Sequence, residues 1–110
     1  MGVLRAEAAV IDLRKINDYL LSLTHPEGRS KARFFISHGF TSGEPELLVA
    51  ALLHHAREGK VRLSRRNVFG NIHTVRGPLL TPDGRSPMVE SVWIIEFGTE
   101  FPRLITAYPS

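Results

Sequence analysis

Cysteine is absent from this 110-residue sequence, which excludes disulfide bonds, thiolate metal sites and a cysteine nucleophile. No apolar run approaches the roughly 18 residues that a membrane span requires. Charges at Arg5 and Glu7 interrupt the N-terminus before a long apolar region can form, so it is a poor secretory signal. We therefore expect a cytoplasmic protein without a membrane partner.

The common nucleotide-binding and hydrolase motifs are also missing. The sequence contains no Walker A motif, no G-x-G-x-x-G and no G-x-S-x-G. Its five histidines form no H-E-x-x-H or H-x-H pattern, and the adjacent His54 and His55 would point about 100° apart on a helix. We expect no metal and no cofactor, and we interpret His54 and His55 as residues at a helix edge.

Basic residues are concentrated in the middle of the chain. The net charge is only +3, but residues 57–76 hold six Arg and Lys side chains against the single acid Glu58. Clustered arginine is typical of proteins that bind a phosphate backbone. The alternative is a solvated strand face. The residues predicted to bind substrate are Arg62, Arg65, Arg66, His73 and Arg76.

Hydrophobic periodicity predicts helices first and strands afterwards. Helical spacing favours one helix from an Asp12 cap to about Leu21, a second capped by Ser30, and a third from Pro45 to Gly59. Extended patterns follow at residues 60–66, 72–80, 88–97 and 103–108. Short links make such strands antiparallel. We predict an α+β fold, in one domain of residues 1–110, with N-terminal helices packed on one face of a twisted four-stranded antiparallel sheet.

The strand patterns give more detailed predictions. Val61 and Leu63 should share one face of the first strand, and Gly77 with Pro78 suggests a bulge or an edge in the second. In the third strand, alternation places Trp93 in the core.

The side-chain types that remain on this small sheet suit phosphodiester cleavage without a metal. A base removes the proton of a ribose 2′-OH, an acid protonates the leaving 5′ oxygen, and cations stabilise the charge on the phosphate. RNA is the substrate that this reaction needs, because DNA has no 2′-OH. His73 could serve as the acid or base, or it could be an ordinary surface residue of its strand.

The segments TPDGR, VESVWII and PRLITAYP, with YLL, HPEGRSKARFF and HGF upstream, resemble a bacterial family of uncharacterised domains. That family is similar to the barnase–EndoU–colicin–RelE (BECR) superfamily of ribonuclease toxins. The resemblance implies helices before a four-stranded antiparallel sheet. It also implies an RNA substrate (tRNA or mRNA) and a cognate antitoxin or immunity protein.

Carried over by position, the resemblance implicates a set of motif residues. Of these, Asp83 and Gly84 belong to a turn and Trp93 to the core. The catalytic candidates are Lys31, Arg85, Arg103, Thr106 and Tyr108. Lys31 and Tyr108 are the candidate proton carriers. In a regular strand Thr106 and Tyr108 share a face opposite Arg103, so we expect Arg103 at the mouth of the site rather than a bulge.

The leading hypothesis is a small metal-independent endoribonuclease toxin. A non-catalytic module that binds nucleic acid or protein is the second hypothesis, and a purely structural domain that pairs with an acidic protein is the third. The sequence leaves open the RNA target, the oligomeric state and the assignment of acid and base.

Overall fold

The computed structural model describes residues 2–110, which form a layer of helices on a four-stranded antiparallel sheet. After a 3-10 turn at Ala6–Ala8, the elements are α1 (Leu13–Lys15), a π-helical segment (Ile16–Leu20), α2 (Arg29–Ser37), α3 (Pro45–Glu58), β1 (Lys60–Arg66), β2 (Gly70–Pro78), β3 (Met88–Glu96) and β4 (Arg103–Pro109). The strands lie in the order β1-β2-β3-β4. The predicted α+β fold is confirmed.

Two of the three helix starts are at the predicted residues, Asp12 and Pro45, and the third is not. The Asp12 side chain accepts a hydrogen bond from the backbone N–H of Arg14 at 2.9 Å, and Pro45 occupies the first turn of α3. The second helix starts at Arg29, so Ser30 is inside it and is not its cap. Gly28 is the N-cap residue of this helix, and no side chain caps it.

The sheet has one face covered by helices and one open face. Val75, Ser91 and Ala107 are paired across β2, β3 and β4 on the covered face, and all three are buried. Trp93 lies on the same face and is 0% exposed, as the strand alternation predicted. On the open face a smaller apolar cluster contains Ile72, Val92 and Ile94, with Ile105 and Tyr108 packed against it.

The bulges are in the two edge strands, which corrects the prediction for β2. In β1 the register shifts between Val61 and Leu63, whose partners Val75 and Thr74 lie on opposite faces. Val61 and Leu63 therefore do not share a face. β2 pairs regularly with β3 from Gly70 to Pro78. Gly77 instead permits close packing, since a Cβ there would lie 3.1 Å from the Cα of Gly59.

His55 is a core residue, not the helix-edge residue that we predicted. It is 1% exposed and joins α3 to the sheet. Its Nδ1 lies 2.7 Å from the Ser91 hydroxyl, and its Nε2 lies 3.1 Å from the carbonyl of Gly77 and 3.0 Å from that of Val89. Two carbonyl neighbours require Nε2 to carry the proton, so Ser91 donates to Nδ1. Burial lowers the pKa of His55.

Within residues 2–110, no helix has the length and apolar character to cross a bilayer.

Candidate functional site

Tyr19 connects two of the residues that the sequence implicated. Lys31 Nζ donates a hydrogen bond to the Tyr19 hydroxyl, and that hydroxyl lies 3.3 Å from Thr106 Oγ1. Lys31 is on α2, Thr106 on β4 and Tyr19 on the π-helical segment. Three elements that are distant along the chain thus meet at one phenol oxygen. We call Tyr19, Lys31 and Thr106 the tyrosine cluster.

The turn before α2 holds Tyr19 in place. His25 Nδ1 accepts hydrogen bonds from the backbone N–H groups of Glu27 and Gly28, both at 3.0 Å. This leaves Nε2 to carry the ring proton of neutral His25. The His25 ring stacks edge-on against Tyr19 at 4.9 Å between centroids. Gly28 is required here, because a Cβ would lie 2.4 Å from the carbonyl oxygen of Tyr19.

The surroundings of Tyr19 favour its ionised form. Partial burial acts to raise the pKa of Tyr19, but this is outweighed by the hydrogen bonds from Lys31 and Thr106 and by the charges of Lys31 and Lys15. The net pKa is lower than that of an ordinary tyrosine. The two ammonium groups also lie close to the ring, with Lys31 Nζ 4.8 Å and Lys15 Nζ 5.2 Å from its centroid. At a given pH such a tyrosine is ionised to a larger extent than usual, and its phenolate oxygen can accept a proton.

Tyr19 opens into a cleft of about 550 Å³. Three cationic side chains, Arg14, Lys15 and Arg103, line this tyrosine cleft together with Tyr19 and the His25 ring. The wall also carries acidic side chains. These are Asp12, Asp18 and Glu27, of which Asp12 is paired with Arg14 at 3.0 Å. The cleft therefore combines a proton acceptor, N–H donors and cations, which are the groups that phosphoryl chemistry uses.

A second polar network lies on the open face around Glu90, which is only 7% exposed. Its carboxylate accepts a hydrogen bond from the Tyr108 hydroxyl at 3.2 Å and another from Ser110 Oγ at 3.3 Å. Arg62 Nε pairs with the same carboxylate at 3.2 Å, and Arg76 Nε donates to Ser110 Oγ at 2.7 Å. A nearly buried carboxylate with these partners is a fixed, fully hydrogen-bonded group.

The two tyrosines of the chain have pKa values that move in opposite directions. Burial, the charge of Glu90 and the hydrogen bond to it raise the pKa of Tyr108, whereas the pKa of Tyr19 is lowered. When the pKa values of two similar groups are shifted in opposite directions, the groups can take different roles. One can act as a proton acceptor, and the other as a proton donor or a structural hydroxyl. By this criterion Tyr19 suits the role of base, and Tyr108 is a donor that holds Glu90.

β4 carries three of the candidate residues, and it is bulged. The neighbouring β3 residues Val92 and Trp93 pair with Thr106 and Leu104 of β4. Ile105 lies between these two and has no partner on β3, so it is the extra residue of the bulge. Arg103 pairs with Ile94 and Tyr108 with Glu90, both on the open face. The bulge that we did not expect therefore brings Arg103 and Tyr108 onto one face. Arg103 also lines the tyrosine cleft and pairs with Glu96 at 3.2 Å.

Four other candidate residues lie apart from the tyrosine cluster. Arg85 pairs with Asp83 at 3.6 Å. The backbone N–H of Asp83 donates a hydrogen bond to the carbonyl of His38, which follows the last residue of α2. Arg65 is exposed and paired with Ile72, so it lies on the open face.

The remaining two candidate residues, His73 and Arg66, are on the face of the sheet that the helices cover. His73 is paired with Trp93, and its Nδ1 is 2.7 Å from Ser64 Oγ. Burial lowers the pKa of His73. Arg66, whose guanidinium lies 5.0 Å from the ring centroid of Phe97, pairs with Asn71.

Sequence reasoning missed Tyr19 and Glu90. Tyr19 lies within the predicted first helix and Glu90 within the predicted third strand, and neither position by itself indicates a functional role. The detectable signal for Glu90 was an acid at a central position of a β-rich segment. Within residues 2–110 no group of three or more His, Asp or Glu side chains is arranged to hold a metal ion.

Comparison with known proteins gives a family and a solved structure of similar fold. Residues 3–110 match the family described as "Domain of unknown function (DUF6883)". A chain of a contact-dependent growth inhibition toxin–immunity protein complex from Klebsiella pneumoniae 342 has the same fold, with a TM-score of 0.72 and 16% identity. The alignment covers 92% of this chain and 99% of that one. No curated protein matches. The chain therefore belongs to the DUF6883 family.

Proposed function

We propose that this chain is a metal-independent endoribonuclease toxin that works as a single BECR-like domain in the cytoplasm of its target cell. The observation that carries the proposal is the tyrosine cluster, in which Tyr19 has a lowered pKa beside Lys31 and Thr106. The similarity of fold to a chain from a toxin–immunity protein complex supports the toxin part.

The tyrosine cluster and the tyrosine cleft together supply the roles that cleavage of RNA requires. Ionised Tyr19 takes the proton of the ribose 2′-OH, whose oxygen attacks phosphorus and forms a 2′,3′-cyclic phosphate. The bond from phosphorus to the 5′ oxygen breaks, and that oxygen receives a proton from the Lys31 ammonium. Lys15 and Arg103 stabilise the charge on the non-bridging phosphate oxygens.

The same proposal assigns the other candidate residues and the partners. The open-face cations Arg62, Arg65 and Arg76 attract the RNA backbone, while Tyr108 holds Glu90 and takes no proton. Arg66, His73 and Arg85 remain candidate contacts for RNA at the periphery. An acidic antitoxin or immunity protein is the expected inhibitor, since a basic surface attracts an acidic partner as well as RNA.

The test is inducible expression of the chain in bacteria, with growth and the integrity of tRNA and mRNA followed together. We expect growth arrest and RNA fragments that end in 2′,3′-cyclic phosphate. Tyr19→Phe and Lys31→Ala should each lower the cleavage rate of the purified protein by about 100-fold or more, the usual contribution of a general acid or base. Tyr108→Phe is the matched control and should stay within about tenfold of the wild type, and EDTA should have no effect.

The pH profile separates the role of Tyr19 from a merely structural one. Activity should rise with pH through the lowered pKa of Tyr19. Lys31→Ala removes a hydrogen bond and a charge that lower this pKa, so the remaining activity should rise at a higher pH.

Intact RNA and normal growth in the presence of well-folded protein would refute the nuclease. Binding of RNA without cleavage would indicate the non-catalytic module. Protection of cells against a separately expressed toxin would place the chain on the immunity side of such a complex.

A further inference from the structure

A second cavity lies on the open face of the sheet, next to the tyrosine cleft. It has a volume of about 430 Å³, within the range of roughly 300–1,000 Å³ that is typical of small-molecule sites. Its floor is aliphatic and comes from three adjacent strands, with Ile72 on β2, Ile94 on β3 and Ile105 on β4. Ile105 is the bulge residue, so the irregularity of β4 helps to shape this floor.

The wall of the cavity is an aromatic ring that the fold does not use. Phe69 is 67% exposed at the tip of the β1–β2 hairpin and belongs to neither apolar cluster. The hairpin nevertheless holds it firmly. Asn67 Oδ1 accepts hydrogen bonds from the backbone N–H groups of Phe69 at 2.8 Å and Gly70 at 3.0 Å, and the Phe69 carbonyl accepts another from Phe97 at 2.9 Å. An exposed ring that lies beside a cavity, on a backbone held by these hydrogen bonds, is suited to stacking.

The rim of the cavity is charged, and it is shared with the tyrosine cleft. Lys15 and Arg103 line both spaces. They are therefore placed between the phenol of Tyr19 and the ring of Phe69. Glu96, which is paired with Arg103 at 3.2 Å, adds a carboxylate acceptor to the same rim. An aliphatic floor, an aromatic wall, two cations and one acceptor complement a nucleotide, which has a flat base with N–H groups and an anionic phosphate.

We propose that this cavity binds one unpaired nucleobase of the RNA substrate, stacked on Phe69, with the adjoining phosphate between Lys15 and Arg103. The inference rests on the proposed ribonuclease function and adds a binding site to it. Stacking on Phe69 requires a base that is not paired in a helix, so the substrate is a single-stranded loop or end. The Glu96 carboxylate favours a base whose edge presents N–H donors.

The experiment measures binding by the wild-type chain to a short single strand of 2′-fluoro RNA labelled with fluorescein. This probe lacks the attacking hydroxyl and is not cleaved. We expect Phe69→Ala to weaken binding by about 5- to 100-fold, the loss of one base–aromatic stack. Phe69→Leu should lose nearly as much, and Phe69→Trp should keep affinity. Val68→Ala is the matched control on the same hairpin tip: its side chain is 84% exposed but does not line the cavity.

A second probe tests the base directly. We make the same strand with a single abasic site, placed at successive positions. For the wild type, one of these strands should bind more weakly than the intact strand. For Phe69→Ala, that strand should bind no more weakly than the intact strand. Equal affinity of wild type and Phe69→Ala for the intact strand would overturn the inference while leaving the ribonuclease in place. Failure of the wild-type chain to bind the strand at all would overturn both. The Phe69→Ala variant could also keep its affinity for RNA and lose binding only to a purified protein inhibitor. That result would assign Phe69 to the inhibitor interface and overturn the nucleobase site. Thermal melting shows whether each variant is folded.

Discussion

Loss of the Ser91 hydroxyl should lower the free energy of unfolding strongly, although the side chain is small. Its hydroxyl accepts a hydrogen bond from Trp93 Nε1 at 2.8 Å and donates to His55 Nδ1 at 2.7 Å. Trp93 and Ser91 are both 0% exposed, and His55 is 1% exposed. Water therefore does not reach these groups from outside. Within residues 2–110 this one hydroxyl is the hydrogen-bond partner of both Trp93 Nε1 and His55 Nδ1.

Ser91→Ala should be destabilising by about 2–6 kcal/mol. Two buried polar groups lose their partner, and each unsatisfied group costs about 1–3 kcal/mol. A domain of this kind has a total stability of about 5–15 kcal/mol, so the variant should still fold. Its melting temperature should fall by about 10 °C or more. By contrast, Ser30→Ala, on the exposed surface of α2, should change stability by less than about 0.5 kcal/mol.

Urea denaturation followed by far-UV circular dichroism measures the effect, because Trp93 is the only tryptophan and two variants of the cycle below lack it. A double-mutant cycle with Trp93→Phe isolates the hydrogen bond, since the double variant no longer has an unsatisfied indole N–H. We expect a coupling energy of about 1–2 kcal/mol. A Ser91→Ala variant as stable as Ser30→Ala would refute this account of the network.

Three further predictions concern the core, the site and the open face. Burial lowers the pKa of His55 in the folded state. The contribution of neutral His55 to stability should therefore be fully present above its unfolded-state pKa of about 6.5 and should decline as the pH falls below that pKa. Equal free energies of unfolding at pH 7.5 and pH 5.5 would contradict this prediction. Gly28→Ala would place a Cβ 2.8 Å from the ring of Tyr19 and should abolish most RNA cleavage, whereas Gly43→Ala, with 3.8 Å of clearance, should not. Arg65→Gln should weaken RNA binding and lower the salt dependence of log K by about one unit, and an unchanged salt dependence would show that Arg65 makes no phosphate contact.

The fold was predictable because its determinants are local. Pro45, Gly59 and the apolar stripe between them define α3, and β-rich segments with short links define an antiparallel sheet. The bulges were not predictable in the same way. Gly77 suggested an irregular β2, but its missing side chain serves the approach of Gly59. The bulge in β4 is at Ile105, a residue that suits a regular strand, so only the pairing with β3 reveals it.

The candidate site was harder to predict because it depends on contacts between distant segments. Lys31 and Thr106 came from motif resemblance, and nothing in their spacing along the chain says that they meet. The residue that joins them, Tyr19, had an adequate explanation as part of an apolar helix face. Its chemistry depends on the π-helical segment, on the turn at Gly28 and on two lysines, which together lower its pKa. A tyrosine can be recognised as a candidate base only when these neighbours are known.

The bulge in β4 connects the two halves of the proposed mechanism. In a regular strand, Arg103 would face away from Tyr108. The extra residue brings Arg103 to the open face, where it lines both the tyrosine cleft and the cavity beside Phe69. The same residue, Ile105, forms part of the floor of that cavity. In the proposed mechanism cleavage and base binding both depend on this one strand, so a change that removes the bulge should impair both together.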